Sequence, residues 1–363
     1  MADLSGLREK IDSIDAELVK LLNQRAELVV QVGKVKRATG VPIYAPHREQ
    51  QVLRKVLGLS RGPLPPKTIE AVYRELMSGS FHLEQPLRIG FLGPVGSYSH
   101  YAAVKHFGSS VDYENLRAVE GVFTEVARGH VDYGLVPIES SSGGGVAETM
   151  DAFAEFQQQL NIYAEVQLEL RRCLLTNVTP NKIQRIYSTA EAFAHCRKWL
   201  ALQFPTADLV VMESSATAAQ RAKDETDTLG NVAAIGNELA GETYGLHALF
   251  QDIQDQSNHT TRFLVLSKQK TEPSGDDKTS LMFVTADRPG ALVDVLAVFK
   301  RAGVNLTHID KRPSGRVNWE YKFFVDAAGH SADPKFAEIV GEARAHCKEL
   351  TVLGSYPASR RVL

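Results

Sequence analysis

The sequence has few cysteines and no long apolar run. Its three cysteines, Cys173, Cys196 and Cys347, are widely spaced and form no Cys-x-x-Cys motif, which argues against a disulfide framework and a structural zinc site. No apolar run is long enough to cross a bilayer, and the charged start MADLSGLREKIDSID lacks the apolar core of a signal peptide. We therefore expect a cytoplasmic protein that does not act at a membrane.

The chain also lacks an excess of charge of either sign. It has 41 basic and 43 acidic residues among 363, so bulk charge predicts no general binding of nucleic acid. With 27 glycines, 15 prolines and 44% hydrophobic residues, the composition excludes fibrous repeats and wholesale disorder. At about 100–200 residues per domain, the length predicts two or three domains.

The first 85 residues show only helical periodicity. A helix over 4–38 would be about 50 Å long at 1.5 Å per residue, which is more than so small a segment can bury within itself. We therefore predict an all-α domain over 1–85, with helices over 4–38, 48–57 and 67–83, that forms an intertwined dimer. Its apolar residues recur at steps of three and four, the pattern of a heptad seam: Leu4, Leu7, Ile11, Ile14, Leu18, Leu21, Leu28, Val32 and Val35.

Cations interrupt this apolar seam. Arg25 occupies a seam position, and Arg8 and Lys36 flank the seam at one shared heptad position. Because an unpaired cation is costly to bury, these residues, together with Arg48, favour a bound polyanion between helices. Alternatively, Arg25 pairs with a helix carboxylate such as Glu27 or Glu49 and fixes the register of the dimer.

The motifs of this segment resemble the all-helical chorismate mutase domain. They read LREKID, LLNQRAELVVQVGKVK and HREQQVL, and together they span the segment. The resemblance implies that the cations hold the carboxylates and ether oxygen of chorismate, with Arg8 supplied by the partner chain, and that Glu49 binds the substrate hydroxyl. The implied substrate-binding residues are Arg8, Arg25, Lys36, Arg48, Glu49, Ser80 and Glu84, of which Arg25, Lys36 and Glu84 are catalytic candidates.

The rearrangement of chorismate to prephenate needs neither a nucleophile nor a metal. The substrate must be held compact while negative charge on the breaking ether oxygen is stabilised, and fixed cations do both. Two positions depart from relatives: Ala45 stands where many have Asp, and Glu84 where some have Gln. Because a glutamate donates a hydrogen bond only when protonated, we expect mutase activity to fall as pH rises and Glu84→Gln to flatten that profile.

From Pro86 onward, short apolar strands alternate with helical stretches. The alternation predicts an α/β domain over 86–268 that binds its ligand at the C-terminal ends of strands. Neither of its Gly/Ser-rich loops is a nucleotide-binding motif, and no His or Cys cluster has metal-ligand spacing, so we predict no cofactor and no metal. The predicted strands are 87–92, 133–137, 174–176, 209–212, 232–235 and 262–266, and the predicted helices are 190–202 and 215–223.

Five blocks of this domain resemble prephenate dehydratase in order and spacing: GPVGSYS, VPIESSSGGG, VMESSATAA, AAIGNELAGETYGL and NHTTRF. The resemblance implies a two-lobed fold like that of periplasmic binding proteins, and conversion of prephenate to phenylpyruvate in the cleft between the lobes. Thr261 matches the catalytic threonine, and we expect it to assist the leaving hydroxide while Arg262 fixes a substrate carboxylate. The implied substrate-binding residues are Ser97, Glu139, Ser140, Ser188, Glu213, Thr261, Arg262 and Phe263.

The block STAEAFAHC departs from the usual form of that family. Thr189 stands where relatives have a histidine, and His195 stands where they have a glutamine. Either His195 is a compensating hydrogen-bond donor in the cleft, or it is an ordinary helix residue. If these two positions tune the cleft, the rate or pH profile of dehydration differs from that of relatives.

A polar stretch over 269–278 is interpreted as a linker, and 279–356 follows as strand, helix, strand, strand, helix, strand. This order predicts a ferredoxin-like βαββαβ domain, and PGALVDVLAVF resembles an ACT domain. The resemblance implies phenylalanine as feedback effector, bound by Gly290, Ala291, Leu292, Val293, Asp310, Arg312 and Pro313. Lys311 replaces a serine of the second motif, so the alternative is a dimerisation module that has lost its ligand.

Three interpretations of the whole chain remain. The first is a bifunctional enzyme that uses chorismate and prephenate, is inhibited by phenylalanine, and forms a homodimer or a tetramer. The second is the same architecture with one inactive site, or with arogenate as substrate. The third is a non-catalytic small-molecule sensor, against which stand Thr261, in register with the other cleft blocks, and the cations of the helical seam.

Overall fold

The structure, a computed structural model, describes residues 4–314 and 320–363. Within these ranges the chain divides into two compact units: residues up to 45, 52–87 and 107–112 form one, and 46–51, 88–106 and 113–363 form the other. None of the helices in the described ranges combines the length and the hydropathy needed for a membrane span.

The N-terminal segment is helical, as its periodicity predicts. Prolines occupy the first position of the second and third helices, where the missing N–H is no loss. Gly33 lies where the first helix approaches the third, and a Cβ there would come within 2.8 Å of the Cα of Glu84. The helices are α1 (Leu4–Thr39), α2 (Pro46–Leu59) and α3 (Pro66–Glu84).

The apolar seam of α1 is open to solvent in the single chain. Ile14 is 64% exposed and Leu18 is 51% exposed, although both belong to the predicted heptad pattern. A seam of this length and exposure is a surface that a partner helix is expected to cover.

The first lobe of the α/β region contains a mostly buried sheet in the order β2-β1-β3-β11-β5, with β4 paired to β3. Strand β11 runs antiparallel to both of its neighbours. The lobe consists of β1 (Arg88–Leu92), α4 (Tyr98–Phe107), β2 (Asp112–Leu116), α5 (Val119–Arg128), β3 (Tyr133–Ser140), β4 (Gly144–Gly145), α6 (Ala147–Phe156), β5 (Asn161–Glu169) and β11 (Thr260–Ser267).

The second lobe has its own sheet in the order β10-β6-β9-β7-β8. The chain crosses between the lobes twice, over 170–172 and 251–259, which agrees with the predicted two-lobed fold. The lobe consists of β6 (Cys173–Thr176), a 3₁₀ turn (Pro180–Lys182), β7 (Arg185–Ser188), α7 (Ala190–His195), α8 (Arg197–Gln203), β8 (Asp208–Val211), α9 (Ser215–Leu229), β9 (Val232–Gly236), α10 (Glu238–Tyr244) and β10 (His247–Phe250).

The prediction of a single helix over 190–202 is wrong, because the helix is interrupted at the buried Cys196 and a second helix begins at Arg197. The carboxylate of Asp255 accepts hydrogen bonds from the backbone N–H groups of Lys198 and Trp199, at 2.8 and 3.0 Å. It thereby satisfies the free N-terminal donors of a new helix. The capping residue lies in another segment, so periodicity alone does not reveal it.

The C-terminal domain has the predicted βαββαβ order and an antiparallel sheet in the order β13-β14-β12-β15. The third strand of that order is predicted over 317–327, and its residues 317–319 lie outside the described ranges. The elements are β12 (Asp277–Thr285), α11 (Ala291–Arg301), β13 (Leu306–Pro313), β14 (Tyr321–Ala328), α12 (Pro334–Ala345) and β15 (Cys347–Pro357).

The stretch predicted as a linker is held by hydrogen bonds. Thr271 is buried and its hydroxyl donates to the carbonyl of Ser355, while Ser274 donates to the side chain of Asp277, where β12 already begins. The C-terminal domain and the α/β domain also share one apolar core, in which Met282 and Phe324 pack with residues of the first lobe. The C-terminal domain is therefore packed on the first lobe rather than loosely tethered to it.

Candidate active sites and effector pocket

Two predicted residues of the helical segment meet between α1 and α3. Arg25 donates from Nη1 to the hydroxyl oxygen of Ser80 at 2.8 Å, and that hydroxyl donates to the carbonyl of Leu76 at 2.6 Å. Ser80 is buried and the guanidinium is half-buried. This chain of hydrogen bonds fixes the orientation of Arg25.

A second pair lies at the C-terminal ends of the same helices. Lys36 Nζ is 2.7 Å from Glu84 Oε2 and also donates to the carbonyl of Ile43 at 2.8 Å. Arg37 donates to the backbone carbonyl of Glu84. The structure therefore brings Lys36 and Glu84 together as an ion pair.

The remaining predicted residues of this segment lie elsewhere. Arg8 is exposed near the start of α1, and 17 residues of helix place it about 25 Å from Arg25 along the axis. Arg48 and Glu49 lie in the first turn of α2, where Arg48 donates to Gln51 Oε1 at 3.2 Å. Within one chain, Arg8 is thus too distant to act with Arg25.

In the two-lobed domain, Thr261 lies on β11 directly opposite Ser140 of β3. Cross-strand partners share one face of a sheet, and so do residues two apart along a strand. Ser140 Oγ is 3.2 Å from Nε2 of His259, and the His259 ring stacks on His195 of the second lobe. The face that carries Thr261 therefore points toward the second lobe.

Arg262, which was expected to fix a substrate carboxylate, points the opposite way and pairs with protein groups in this structure. Its Nε is 2.8 Å from Glu165 Oε2, its Nη1 is 2.6 Å from Asp326 Oδ2, and its Nη2 donates to the Tyr356 hydroxyl at 2.9 Å. Burial acts to lower the pKa of Arg262, but Tyr356, Asp326 and Glu165 outweigh burial and raise it. The guanidinium thus links Glu165 of the first lobe to Asp326 and Tyr356 of the C-terminal domain.

Of two more predicted cleft residues, Glu139 contacts the C-terminal domain and Phe263 is buried. Glu139 precedes Ser140 and pairs in register with Arg262, and its Oε2 is 3.2 Å from His308 Nδ1 of the C-terminal domain. Phe263 is 1% exposed and belongs to the core. Side chains alternate along a strand, so Glu139 and Arg262 face away from the side that Ser140 and Thr261 share. The β11–β3 pairing has a bulge directly after Arg262.

Ser97, Ser188 and Glu213 contact their own lobes. Ser97 Oγ donates to the Leu92 carbonyl at 3.1 Å, and Ser188 Oγ donates to the Ile235 carbonyl at 2.9 Å. Glu213 is exposed just before the residue that caps α9. The two serines thus have hydroxyls that already stabilise local backbone.

A cluster that sequence reasoning missed surrounds His259. Arg172 Nη2 donates to Nδ1 of His259 at 3.1 Å, and Ser142 Oγ is 2.6 Å from Nε2. The ring centroids of His195 and His259 are 4.4 Å apart, and Glu191 Oε1 is 3.6 Å from Nε2 of each. Arg172 and His259 are 87 residues apart, so no spacing pattern links them.

The protonation state of His259 follows from these contacts. Burial, then Arg172 and His195, lower its pKa to about 4, so the ring is neutral near pH 7. Because the Arg172 guanidinium can only donate, Nδ1 of His259 accepts and the proton resides on Nε2. His259 therefore presents an N–H donor to Ser142 and Glu191.

The same cluster brings potential metal ligands of Glu191, His195 and His259 within 4.8 Å of one another. A metal at Nε2 of His259 would have to replace the proton that the Arg172 contact places there, beside a guanidinium cation. The donor set therefore does not fit a metal ion, and its chemistry suits an anion.

In the C-terminal domain, a cavity of about 300 Å³ lies at the start of α11 and is lined by Gly290, Ala291, Leu292 and Val293. Gly290 has a φ of +81°, which glycine adopts readily. Glu320 and Lys348 also line the cavity, 2.9 Å apart. The first predicted effector motif thus forms one wall of a pocket with charges of both signs.

The second effector motif does not line this cavity. Arg312 Nη2 is 2.7 Å from Asp151 Oδ2 of the first lobe, and Asp310 Oδ2 lies where a Cβ at Gly145 would be. Pro313 is exposed at the end of β13. Within one chain, Asp310 and Arg312 contact the two-lobed domain instead of the pocket.

Comparison with known families matches three consecutive stretches of the chain. The model of chorismate mutase type II matches residues 7–85, that of prephenate dehydratase matches 89–271, and that of the ACT domain matches 279–344. Each match coincides with one of the three regions described above.

Two full-length relatives carry the name "Bifunctional chorismate mutase/prephenate dehydratase". The one from Stutzerimonas stutzeri is 40% identical over 361 residues, which cover 98% of this chain and 97% of that protein. The one from Pseudomonas aeruginosa is 40% identical over 367 residues, which cover 98% and 99%. A solved prephenate dehydratase from Arthrobacter aurescens, in complex with L-Phe, is 32% identical with a TM-score of 0.69 and covers 75% of this chain and 90% of that one.

Proposed function

This chain belongs to the family of bifunctional chorismate mutase/prephenate dehydratases, and from that premise we propose which of its residues perform the two reactions. The protein is an enzyme that rearranges chorismate to prephenate and converts prephenate to phenylpyruvate, and its ACT domain fits feedback regulation by phenylalanine. The relatives do not favour a non-catalytic sensor.

The mutase site is built by α1 and α3. Arg25 and Lys36 bind the carboxylates and the ether oxygen of chorismate, and Ser80 and Glu84 orient these two cations through the contacts at 2.8 and 2.7 Å. The reaction breaks one C–O bond and forms one C–C bond within the substrate. Fixed cations accelerate it by holding the reactive conformer and stabilising negative charge on the ether oxygen.

A homodimer completes this site. The exposed seam of α1 supplies the surface for a second chain, and Arg8, about 25 Å along the helix from Arg25, then reaches the site of the partner. Symmetric pairing of two α1 helices gives two equivalent sites. Arg48 and Glu49 are assigned to the same site by resemblance.

The dehydratase reaction takes place on the face of β11 that carries Thr261. Prephenate loses hydroxide and carbon dioxide, and the electron pair of the breaking C–C bond becomes a π bond of the new aromatic ring. The Thr261 hydroxyl donates a hydrogen bond to the departing hydroxide, which takes one proton from solvent and leaves as water. The observation that carries this assignment is the shared face of Thr261, Ser140 and His259.

The deciding experiment compares Thr261→Ala with Thr261→Ser. We expect Thr261→Ala to lower dehydratase kcat by about a hundredfold or more, with a small change in KM, because the lost hydrogen bond acts at the leaving group. The serine variant, which retains a hydroxyl, keeps most of the activity. Mutase activity of the same preparation is the internal control, and an unchanged kcat in Thr261→Ala would remove Thr261 from the mechanism.

Phenylalanine binds in the cavity of the ACT domain. Gly290 to Val293 supply small and apolar contacts, while Glu320 and Lys348 carry charges that complement an ammonium and a carboxylate group. An amino acid needs this combination of apolar surface and paired charges. The position of Asp310 and Arg312 at the first lobe gives the domain a route to the dehydratase that is separate from the effector pocket.

A further inference from the structure

We propose that Arg172, His195, His259 and Ser142 form a carboxylate-binding subsite of the dehydratase cleft, which the carboxylate of Glu191 fills when no substrate is bound. The inference rests on the proposed dehydratase function and names the residues that hold one of the two carboxylates of prephenate. It also supplies the cation that Arg262, paired with the ACT domain, does not provide.

The first observation is a buried cation with weak compensation. Arg172 is 2% exposed and donates only to neutral groups, the Leu170 carbonyl at 3.3 Å and Nδ1 of His259 at 3.1 Å. Its Nε has no hydrogen-bond partner among the described residues, and Glu191, at 3.9 Å, is the only described acid paired with it. A guanidinium buried to this degree is costly without a closely bound anion. The positive charge of Arg172 is therefore only weakly compensated, and a bound anion would stabilise it.

The second observation is the position of Glu191. Its Oε1 lies 3.4 Å from Ser142 Oγ, 3.6 Å from Nε2 of both histidines and 3.9 Å from Arg172. These distances are longer than good hydrogen bonds, and the Glu191 side chain is 59% exposed. One loosely held carboxylate oxygen thus occupies the point at which Arg172, Ser142 and the two histidine rings converge.

The third observation is the place of the subsite. His259 precedes Thr261 by two residues and contacts Ser140, the residue opposite Thr261. A carboxylate in the subsite is therefore adjacent to the hydroxyl that assists the leaving group. Glu191 belongs to the second lobe and Ser142 to the first, so a ligand there contacts both lobes.

The test measures prephenate binding in a background that is expected to turn it over about a hundredfold more slowly. Prephenate is also the product of the mutase site, so calorimetry is done on Lys36→Ala/Thr261→Ala, which gives the reference Kd of the dehydratase site, and Glu191→Ala is then added. Removing an exposed competing carboxylate is expected to tighten prephenate binding about two- to fivefold. Glu242→Ala, an exposed glutamate on another helix of the same lobe, is the matched control and leaves Kd unchanged.

The cation is tested in the same background. Arg172→Lys keeps the charge but loses the planar donor geometry, and it is expected to weaken prephenate binding about tenfold or more. Weaker binding in Glu191→Ala, or an unchanged Kd in both variants, would overturn the subsite. Since Glu191 is exposed, its variant tests the proposal even if Arg172→Lys fails to fold. Full turnover by Thr261→Ala would instead contradict the proposed mechanism. In that case the KM values of the Glu191→Ala and Arg172→Lys variants would replace Kd as the test of the subsite.

Discussion

At the scale of single residues, the neutral His259 ring makes the dehydratase sensitive to acid. Burial, Arg172 and His195 hold its pKa at about 4, below the ordinary 6.5. The unfolded chain therefore binds more protons than the folded one as pH falls from 6.5 toward 4. The stability that a neutral His259 confers is fully present above pH 6.5 and is lost through this window, while Glu191, the one acid in the cluster, opposes the loss.

We predict that replacing His259 with asparagine flattens this dependence. The wild-type dehydratase should lose thermal stability between about pH 7 and about pH 5, and His259→Asn should lose less, because one group with a lowered pKa is gone. Calorimetric unfolding at a series of pH values measures both. His330, whose pKa burial also lowers, stays in the variant, so some slope remains. An identical slope in the two proteins would contradict the assignment.

At the scale of elements, β3 and β11 each carry one residue toward the cleft and the next toward the ACT domain. Ser140 and Thr261 face the second lobe, while Glu139 and Arg262 contact His308 and Asp326. Strands β12 and β14 extend from this contact to the effector pocket, which Thr285 and Tyr321 line. A shift of the ACT sheet on binding phenylalanine would therefore be transmitted to Thr261 through the contacts of Glu139 and Arg262.

Tyr356→Phe tests that route. The Tyr356 hydroxyl accepts from Arg262 and is 2.7 Å from Ser280 Oγ, so its loss weakens the contact without removing a charge. We predict near-normal basal dehydratase activity and about a threefold or larger rise in the phenylalanine concentration for half inhibition, within the usual range of coupling energies.

A second buried tyrosine offers the control for that experiment. Tyr187 donates to Glu225 within the second lobe, away from the ACT contact, and Tyr187→Phe should leave the inhibition curve in place. Equal inhibition curves for Tyr356→Phe and wild type, with a comparable loss of thermal stability in both tyrosine variants, would show that Tyr356 only contributes to stability.

The whole molecule is predicted to share its mutase sites between two chains. We predict that Arg8→Ala and Lys36→Ala are each inactive as mutases but regain activity when the two chains are mixed. In a mixed dimer one site carries both substitutions and the other carries neither, so random pairing restores about a quarter of wild-type activity. Dehydratase activity serves as the control. No recovery after verified exchange of subunits would place Arg8 outside the site.

The sequence predicted the elements with strong periodicity and missed those fixed by distant contacts. The heptad seam predicted α1 to within a residue, and the order of strands and helices predicted the ACT fold. The break at Cys196 escaped prediction because Asp255 comes from another segment. The contacts of Arg262 escaped prediction for a similar reason: alternation along β11 could be foreseen, but Glu165 lies on the neighbouring strand β5 and Asp326 in the C-terminal domain, both far from Arg262 in sequence.

The alternation of Thr261 and Arg262 also limits which insertions and deletions the chain can tolerate. Side chains alternate along a strand, so a slip of one residue in the pairing of β11 would turn every side chain to the opposite face. Arg262 would then enter the cleft, and Thr261 would face the acids of the ACT contact. A single-residue indel just before Thr261 would therefore remove catalysis and its control together, whereas the mutase helices, which do not depend on that register, would keep their chemistry.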